Sequence, residues 1–162
     1  MTKEERKIYN KNYKENNSYL IKIKRKEYRL LNADKIRNDR KLYNRKKRNS
    51  DSFFKLKSNI STLIRMSFNN KNIKKNTKTE KILGCSFESF KIHLESKFEP
   101  WMSWDNYGNP KDGLLEINKT WDIDHIEPIS TAKTEEDVIK LNHHTNLQPL
   151  CTYNNRFIKN NR

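Results

Sequence analysis

Apolar residues settle into core-forming spacing only at Phe53, from which Phe53, Leu56, Ile60, Leu63, Ile64 and Phe68 recur at intervals of three and four. That stripe predicts an amphipathic helix with a real core to face. Ahead of it, residues 1–50 repeat a loose theme of Tyr, Asn, Lys and Arg, as in YNKNYKENN, EYRLLNADKI and KLYNRKKRN, without the strict period of a repeat protein. Tyr9 and Tyr13 stand one helical turn apart, and Tyr28, Leu31 and Lys35 follow similar spacing. The many Asn residues and sparse apolar positions nevertheless weaken independent folding. Only 33% of the 162 residues are apolar, so the expected core is small: one catalytic-sized domain with an appendage.

The formal net charge of +15 is concentrated on one side. Residues 1–81 carry 26 Lys/Arg against 8 Asp/Glu, a net of +18, whereas residues 82–162 carry 9 against 12, a net of −3. A block this basic attracts polyanions through counterion release, an affinity that is large, sequence-blind and salt-sensitive. Nucleic acid is therefore the leading partner, with Lys24, Arg25 and Lys26 and the run Arg45, Lys46, Lys47 and Arg48 as expected contacts. Helix in this region is expected to be partly induced by DNA. An anionic membrane fits less well, because the basic segments lack a continuous apolar face. No apolar run approaches the roughly 18 residues of a membrane span, and the opening MTKEERKIYN has no apolar signal core, so a cytoplasmic location is expected. Cys85 and Cys151 form no CxxC pair, so neither a disulfide framework nor a four-cysteine zinc site is available.

Past a polar linker at residues 69–80, Gly84 closes a short helical turn. Ser86 then caps a helix carrying Phe87, Phe90, Leu94 and Phe98 that should end near Pro100. Trp101, Trp104 and Tyr107 precede the loop NYGNPKDG, and with Trp121 they are expected to supply a core in place of zinc. TWDIDHI reads as a short strand ending before Pro128. Thr134 and three acids open a helix reaching about Leu141. A second strand, about Leu147 to Leu150, leads into a terminal helix with Asn154, Asn155, Arg156 and Lys159.

Phosphodiester hydrolysis needs a base for water, a cation for developing charge and donors that hold the backbone. Asp124 and His125 are adjacent: a carboxylate able to hold a hard cation beside an imidazole suited to base catalysis near neutrality. Asn155 offers a second oxygen, and so small a ligand set suits Mg²⁺ or Mn²⁺, one ion per site. Neighbours on a regular strand point to opposite faces, so the strand is expected to end, twist or bulge at this pair. Arg156 and Lys159, one helical turn apart, are placed to hold phosphates.

WDIDHIEPIS, followed by HHTNLQPL and CTYNNRFIK, resembles the HNH nuclease motif with its ββα-metal fold, especially that of phage-type and homing-type members. LGCSFESFKIHLESKF and MSWDNYG resemble the helix and aromatic loop that precede the motif there, so the likeness covers about half the chain. It implies that His125 is the general base, Asp124 a metal ligand, Asn146 the residue bracing the catalytic loop and Asn155 the final ligand. The resemblance favours Asn155 over Asn154 because it lies nine residues after Asn146, the spacing such motifs share; on an α-helix the alternative would sit about 100° away. Glu127 and His144 depart from the usual pattern without removing a catalytic group. His143 matches a recurring histidine and reads as structural.

These readings converge on an α+β protein: a basic helical region at 1–50, an amphipathic helix and linker at 51–81, and a nuclease domain at 82–162 with its core motif at 119–160. The expected activity is Mg²⁺- or Mn²⁺-dependent cleavage of duplex DNA, by a monomer or a DNA-induced dimer, with no small-molecule cofactor and no zinc. The rival is a non-catalytic DNA- or RNA-binding regulator that keeps the fold.

Overall fold

Asparagine punctuates the basic N-terminal region into three helices, α1 (Lys3–Asn16), α2 (Ser18–Leu31) and α3 (Ala33–Ser50). At each break an Asn side chain turns back onto the preceding helix: Asn17 Nδ2 donates to the Tyr13 carbonyl and Asn32 Nδ2 to that of Tyr28, both at 2.9 Å. Thr2 opens α1 with a capping box, its Oγ1 accepting from Glu5 N (3.2 Å) while Glu5 Oε2 accepts from Thr2 N (2.7 Å). No residue of these three helices is buried, and Tyr9, Tyr13, Tyr19, Tyr28 and Leu31 are exposed. This computed structural model describes residues 1–159, so the end of the expected nuclease domain, 160–162, lies outside the described residues.

The chain divides into two compact units, residues 1–47 and 48–162. The first carries 17 Lys/Arg against 6 Asp/Glu, a net of +11, and has no core of its own. The second is mixed α and β. Its first helix, α4 (Ser52–Asn69), is capped by Asp51, whose Oδ1 accepts from Phe54 N at 2.9 Å. The apolar stripe read from the sequence is the face it buries: Leu56, Ile60, Ile64 and Phe68 sit in the same core as Trp121 and Leu147. Thus α4 belongs structurally with the C-terminal unit rather than standing as a separate segment, because an amphipathic face stays stable only against a partner.

Two short helices follow, α5 (Thr79–Leu83) and α6 (Phe87–Glu95), with Ser86 Oγ capping the latter by accepting from Ser89 N (3.1 Å). Helix α6 stops at Glu95, before the Phe98 that the spacing had assigned to it. Phe98 instead joins an aromatic cluster: its ring lies 4.8 Å from Trp121, which stacks on Tyr107 at 4.5 Å and meets Trp104 at 5.3 Å. Trp121 Nε1 donates to the Ser103 carbonyl (2.7 Å), so its one polar group is satisfied in the core.

Strands β1 (Trp121–His125) and β2 (Leu147–Cys151) form one antiparallel sheet, paired from Trp121↔Cys151 through Asp124↔Gln148 to His125↔Leu147. The outer edge of β1 is covered at its start by the 106–108 segment, where Gly108 N donates to the Trp121 carbonyl (2.8 Å). Helix α7 (Glu135–Leu141), boxed by Thr134 and Asp137, fills the excursion between the strands. Past β2, Asn154–Lys159 winds as a π-helix rather than the expected α-helix, so the 100° separation assumed for Asn154 and Asn155 does not apply. None of the described helices is long and apolar enough to cross a membrane.

Candidate active site

Alternation along β1 sorts the candidate residues into two sets. Trp121, Ile123 and His125 share the core-facing side, while Asp122 and Asp124 face the terminal π-helix. The strand neither bulges nor twists out of register at the Asp–His pair; it ends on His125 itself. The two side chains therefore do separate things on opposite sides of one strand end.

His125 occupies the last core-facing position, where the apolar filling gives way to an open cavity of about 700 Å³ between β1 and α4. Its Nε2 lies 3.0 Å from Asn142 Oδ1. Asn142 is fully buried, and its amide is oriented by Nδ2 donating to the Val138 carbonyl at 2.8 Å. Facing an oxygen acceptor, His125 must carry its hydrogen on Nε2, which leaves the basic lone pair on Nδ1. Ser67 Oγ, on α4, stands 3.3 Å from the same Asn142 oxygen. Burial pushes the His125 pKa below its ordinary value; the hydrogen bond to Asn142 and the Asp124 charge oppose that shift, and Lys159 adds to it. The lowered pKa favours the neutral imidazole near neutral pH.

Asp124 is almost fully buried, at 8% exposure. Its Oδ2 accepts from Gln148 Nε2 (3.2 Å) and from the Lys159 ammonium, which also donates to the His125 carbonyl. One position along, Arg156 pairs with Asp122 at 3.5 Å and donates to Asn109. The two C-terminal cations placed in the phosphate-holding role are thus directed at the carboxylates of β1. Asn155, between them on the π-helix, is half-buried. Among the described residues no cluster of three His, Cys, Asp or Glu side chains forms a metal cage.

Asn146 ends the 3-10 turn ahead of β2 and holds the segment after β1 from both sides. Its Oδ1 accepts from Glu127 N (2.9 Å), and its Nδ2 donates to the carbonyls of Glu127 (3.0 Å) and Leu141 (2.8 Å). With Ile126 N donating to the Asn146 carbonyl (2.8 Å), the backbone leaving His125 is pinned to the start of β2. Glu127 itself is exposed and reaches Thr131 Oγ1 at 3.3 Å.

The remaining histidines lie together on the far side of the 3-10 turn. His143 caps that turn, with Nδ1 at 2.9 Å from Thr145 Oγ1. It packs so closely on Gly84 that a Cβ there would fall 2.1 Å from its Nε2; Gly84 also has a φ of +73°, so glycine is required twice over. His144 Nδ1 meets the Leu83 carbonyl and His93 Nε2 that of Leu147, at 2.9 and 3.0 Å.

In the first unit Lys24, Arg25 and Lys26 are exposed on α2, and Lys24 and Arg25 border a cavity of about 490 Å³ with Tyr28 and Ile36. On α3, Arg45, Lys46 and Arg48 are exposed and Lys47 is half-buried. Arg48, in the second unit, donates to Ser58 Oγ (2.8 Å) and lines the cavity that His125 opens on.

No family model matches the chain, and no solved structure matches it. It is similar to an uncharacterized protein of Acanthamoeba polyphaga mimivirus, 28% identical over 122 residues, which make up 74% of this chain and 48% of that protein. The chain therefore spans about half the length of the relative it matches.

Asn142, Ser67 and Arg65 escaped the sequence reading, although Arg65 lines the same cavity as His125. For Asn142 a signal existed: an amide directly after the apolar pair Val138 and Leu141, at a helix C-terminus, has few ways to be satisfied except in the interior. The other two carry no local signal: Ser67 is buried against Asn142, 75 residues along the chain, and Arg65 is one exposed cation among many.

Proposed function

We propose that this protein is a metal-dependent DNA endonuclease of the HNH type, phage-like or homing-like. The observation that carries this reading is His125: a neutral imidazole, its Nε2 tied to buried Asn142, opening on a cavity bordered by Arg48 and Arg65 one residue from a buried carboxylate. That is the arrangement of an oriented general base beside a polyanion groove. The order strand, excursion, strand, helix, with Asn146 holding the segment after the base, agrees with it.

In the proposed reaction His125 Nδ1 takes a proton from water as the oxygen attacks phosphorus. The P–O3′ bond breaks, leaving a 5′-phosphate and a 3′-hydroxyl that takes its proton from solvent. Arg48 and Arg65 hold flanking phosphates, and Asn146 keeps the backbone behind the base from moving. The chemistry at Asp124 fits one hard cation: its Oδ2 already attracts an ammonium and its Oδ1 has no hydrogen bond among the described residues, and Asn155, on the same π-helix as Lys159, would be the residue to add an amide oxygen. Such an ion, Mg²⁺ or Mn²⁺, would supply charge stabilisation to a phosphate and departing oxygen lying across the end of β1, where the strand stops and both of its faces are reachable.

The decisive test is incubation of the purified protein with supercoiled plasmid in Mg²⁺ or in excess EDTA, with relaxed and linear products read on a gel. Metal-dependent nicking is expected. Plasmid retarded but uncut in Mg²⁺ and in Mn²⁺ would favour a binding protein and end the nuclease reading.

Two further outcomes follow from the geometry. A base with a depressed pKa is active when deprotonated, so kcat/KM for nicking should rise with pH along a limb whose midpoint lies below about 6.5, and then level. The same shift makes the fold less stable as pH falls from about 6.5 toward the folded-state pKa, because there the unfolded chain binds more protons. A limb centred above 7 would assign the base to another group. At Asp124, Lys159→Met removes the ammonium that competes for the carboxylate, and should lower the Mg²⁺ concentration for half-maximal nicking several-fold. Slower nicking at unchanged Mg²⁺ demand would instead place Lys159 on the phosphate.

A further inference from the structure

The polar face of α4 borders two adjoining cavities, and their linings carry charge of one sign only. The first, of about 700 Å³, runs from Arg48 past Asn59, Arg65 and Asn70 to His125. The second, of about 440 Å³, continues from the shared Thr62 and Arg65 to Asn69, Lys74 and Lys75. Among the described residues, four cations and several amide and hydroxyl groups line this path and no carboxylate does. Arg65 is exposed and makes no ion pair among the described residues, although Asp and Glu are plentiful elsewhere in the same unit.

We infer that this face of α4 is the path of the DNA backbone into the cutting site, with Lys74, Lys75, Arg65 and Arg48 seating successive phosphates on the way to His125. The inference deepens the nuclease reading and rests on it for the direction of the path. A small anion would occupy one such cation, whereas cations spread over residues 48 to 75 with donors between them suit a polyanion that meets them in turn. The assignment also gives a use to residues 69–80, which the sequence shows only as a polar linker. Asn72 adopts a left-handed φ of +57° there, and Ile73 packs back on the core with its N donating to the Phe68 carbonyl (3.0 Å). The adjoining Lys74 and Lys75 are thereby held at the cavity rim rather than on a loose connection.

The test uses the full chain, a fluorescent duplex and EDTA, so that binding is read without cleavage. Each phosphate neutralised contributes about 0.9 to the slope of log K against log salt. The triple substitution Arg65→Ser, Lys74→Ser, Lys75→Ser should lower that slope by about 2 to 3 without altering the thermal unfolding midpoint. In the unsubstituted protein, bound duplex should protect Lys74 and Lys75 from an amine-reactive label read by mass spectrometry. An unchanged slope, or equal labelling with and without DNA, overturns the path, even where Lys24→Ser, Arg25→Ser, Lys26→Ser weakens binding and nicking in Mg²⁺ persists. A reduced slope and protected lysines in a protein that never nicks would sustain the path and remove the nuclease reading.

Discussion

Replacing His125 by alanine should lower the proposed metal-dependent nicking by about 10³-fold, within the usual range for loss of a positioned general base, and should leave the proposed duplex affinity within about twofold. The separation of the two effects follows from where the side chain sits. His125 lines its cavity tied by Nε2 to Asn142, whereas the cations proposed to seat phosphates, Arg48, Arg65, Lys74 and Lys75, are separate side chains on α3, α4 and the segment after it. The variant should fold, because Asn142 Oδ1 keeps Ser67 as a neighbour and Nδ2 keeps Val138. The cost in stability is about 1–3 kcal/mol, that of a weakened buried hydrogen bond. Asn142→Leu supplies the complementary result. It leaves the imidazole in place without its orienting acceptor, so nicking should fall less steeply and the pH limb should move. A His125→Ala protein that nicks at the normal rate takes the base away from this residue. One that no longer binds DNA makes His125 a contact rather than a base.

Trp121→Ala destabilises the second unit by about 3–5 kcal/mol, the usual cost of emptying a large aromatic from a packed core. Small domains have about 5–15 kcal/mol in total, so the variant sits close to unfolding at room temperature. Trp121 is fully buried and touches Phe98, Trp104 and Tyr107, and its backbone also ties the 106–108 segment to β1. Few neighbours can collapse into the space, because Tyr107 is pinned through its hydroxyl, which accepts from Asn59 Nδ2 at 3.1 Å. Urea denaturation followed by far-ultraviolet circular dichroism reads the loss without depending on indole fluorescence. A loss below about 1.5 kcal/mol would show that the cluster repacks and that α4 with α6 carries the core.

Much of the second unit is visible in the sequence because its signals are local. The Thr134 cap, the 3- and 4-residue spacing of α4 and the apolar alternation of Trp121 with Ile123 depend on neighbours in the chain. What escaped depends on partners far along it. The Asn142–His125 hydrogen bond spans 17 residues, and Lys159 reaches Asp124 across 35. No periodicity encodes either. Helix α6 ends early because Phe98 is drawn into the aromatic cluster, where tertiary packing outweighs helical spacing. The basic N-terminal region is helical in the structure, yet none of its residues is buried, in keeping with the sparse apolar positions noted in its sequence.

The ending of β1 on His125 has one more consequence. The apolar residues Trp121 and Ile123 fix which face of the strand is inward, and a slip of one residue would send Asp124 toward the core and His125 toward the π-helix. The dipeptide therefore needs no dedicated scaffold to keep its two members apart, since hydrophobic alternation does so. Substitutions on α4 can reshape the compartment served by His125, and substitutions on the C-terminal helix the one served by Asp124. The two halves of the site are in this sense separately evolvable, although their residues are covalent neighbours.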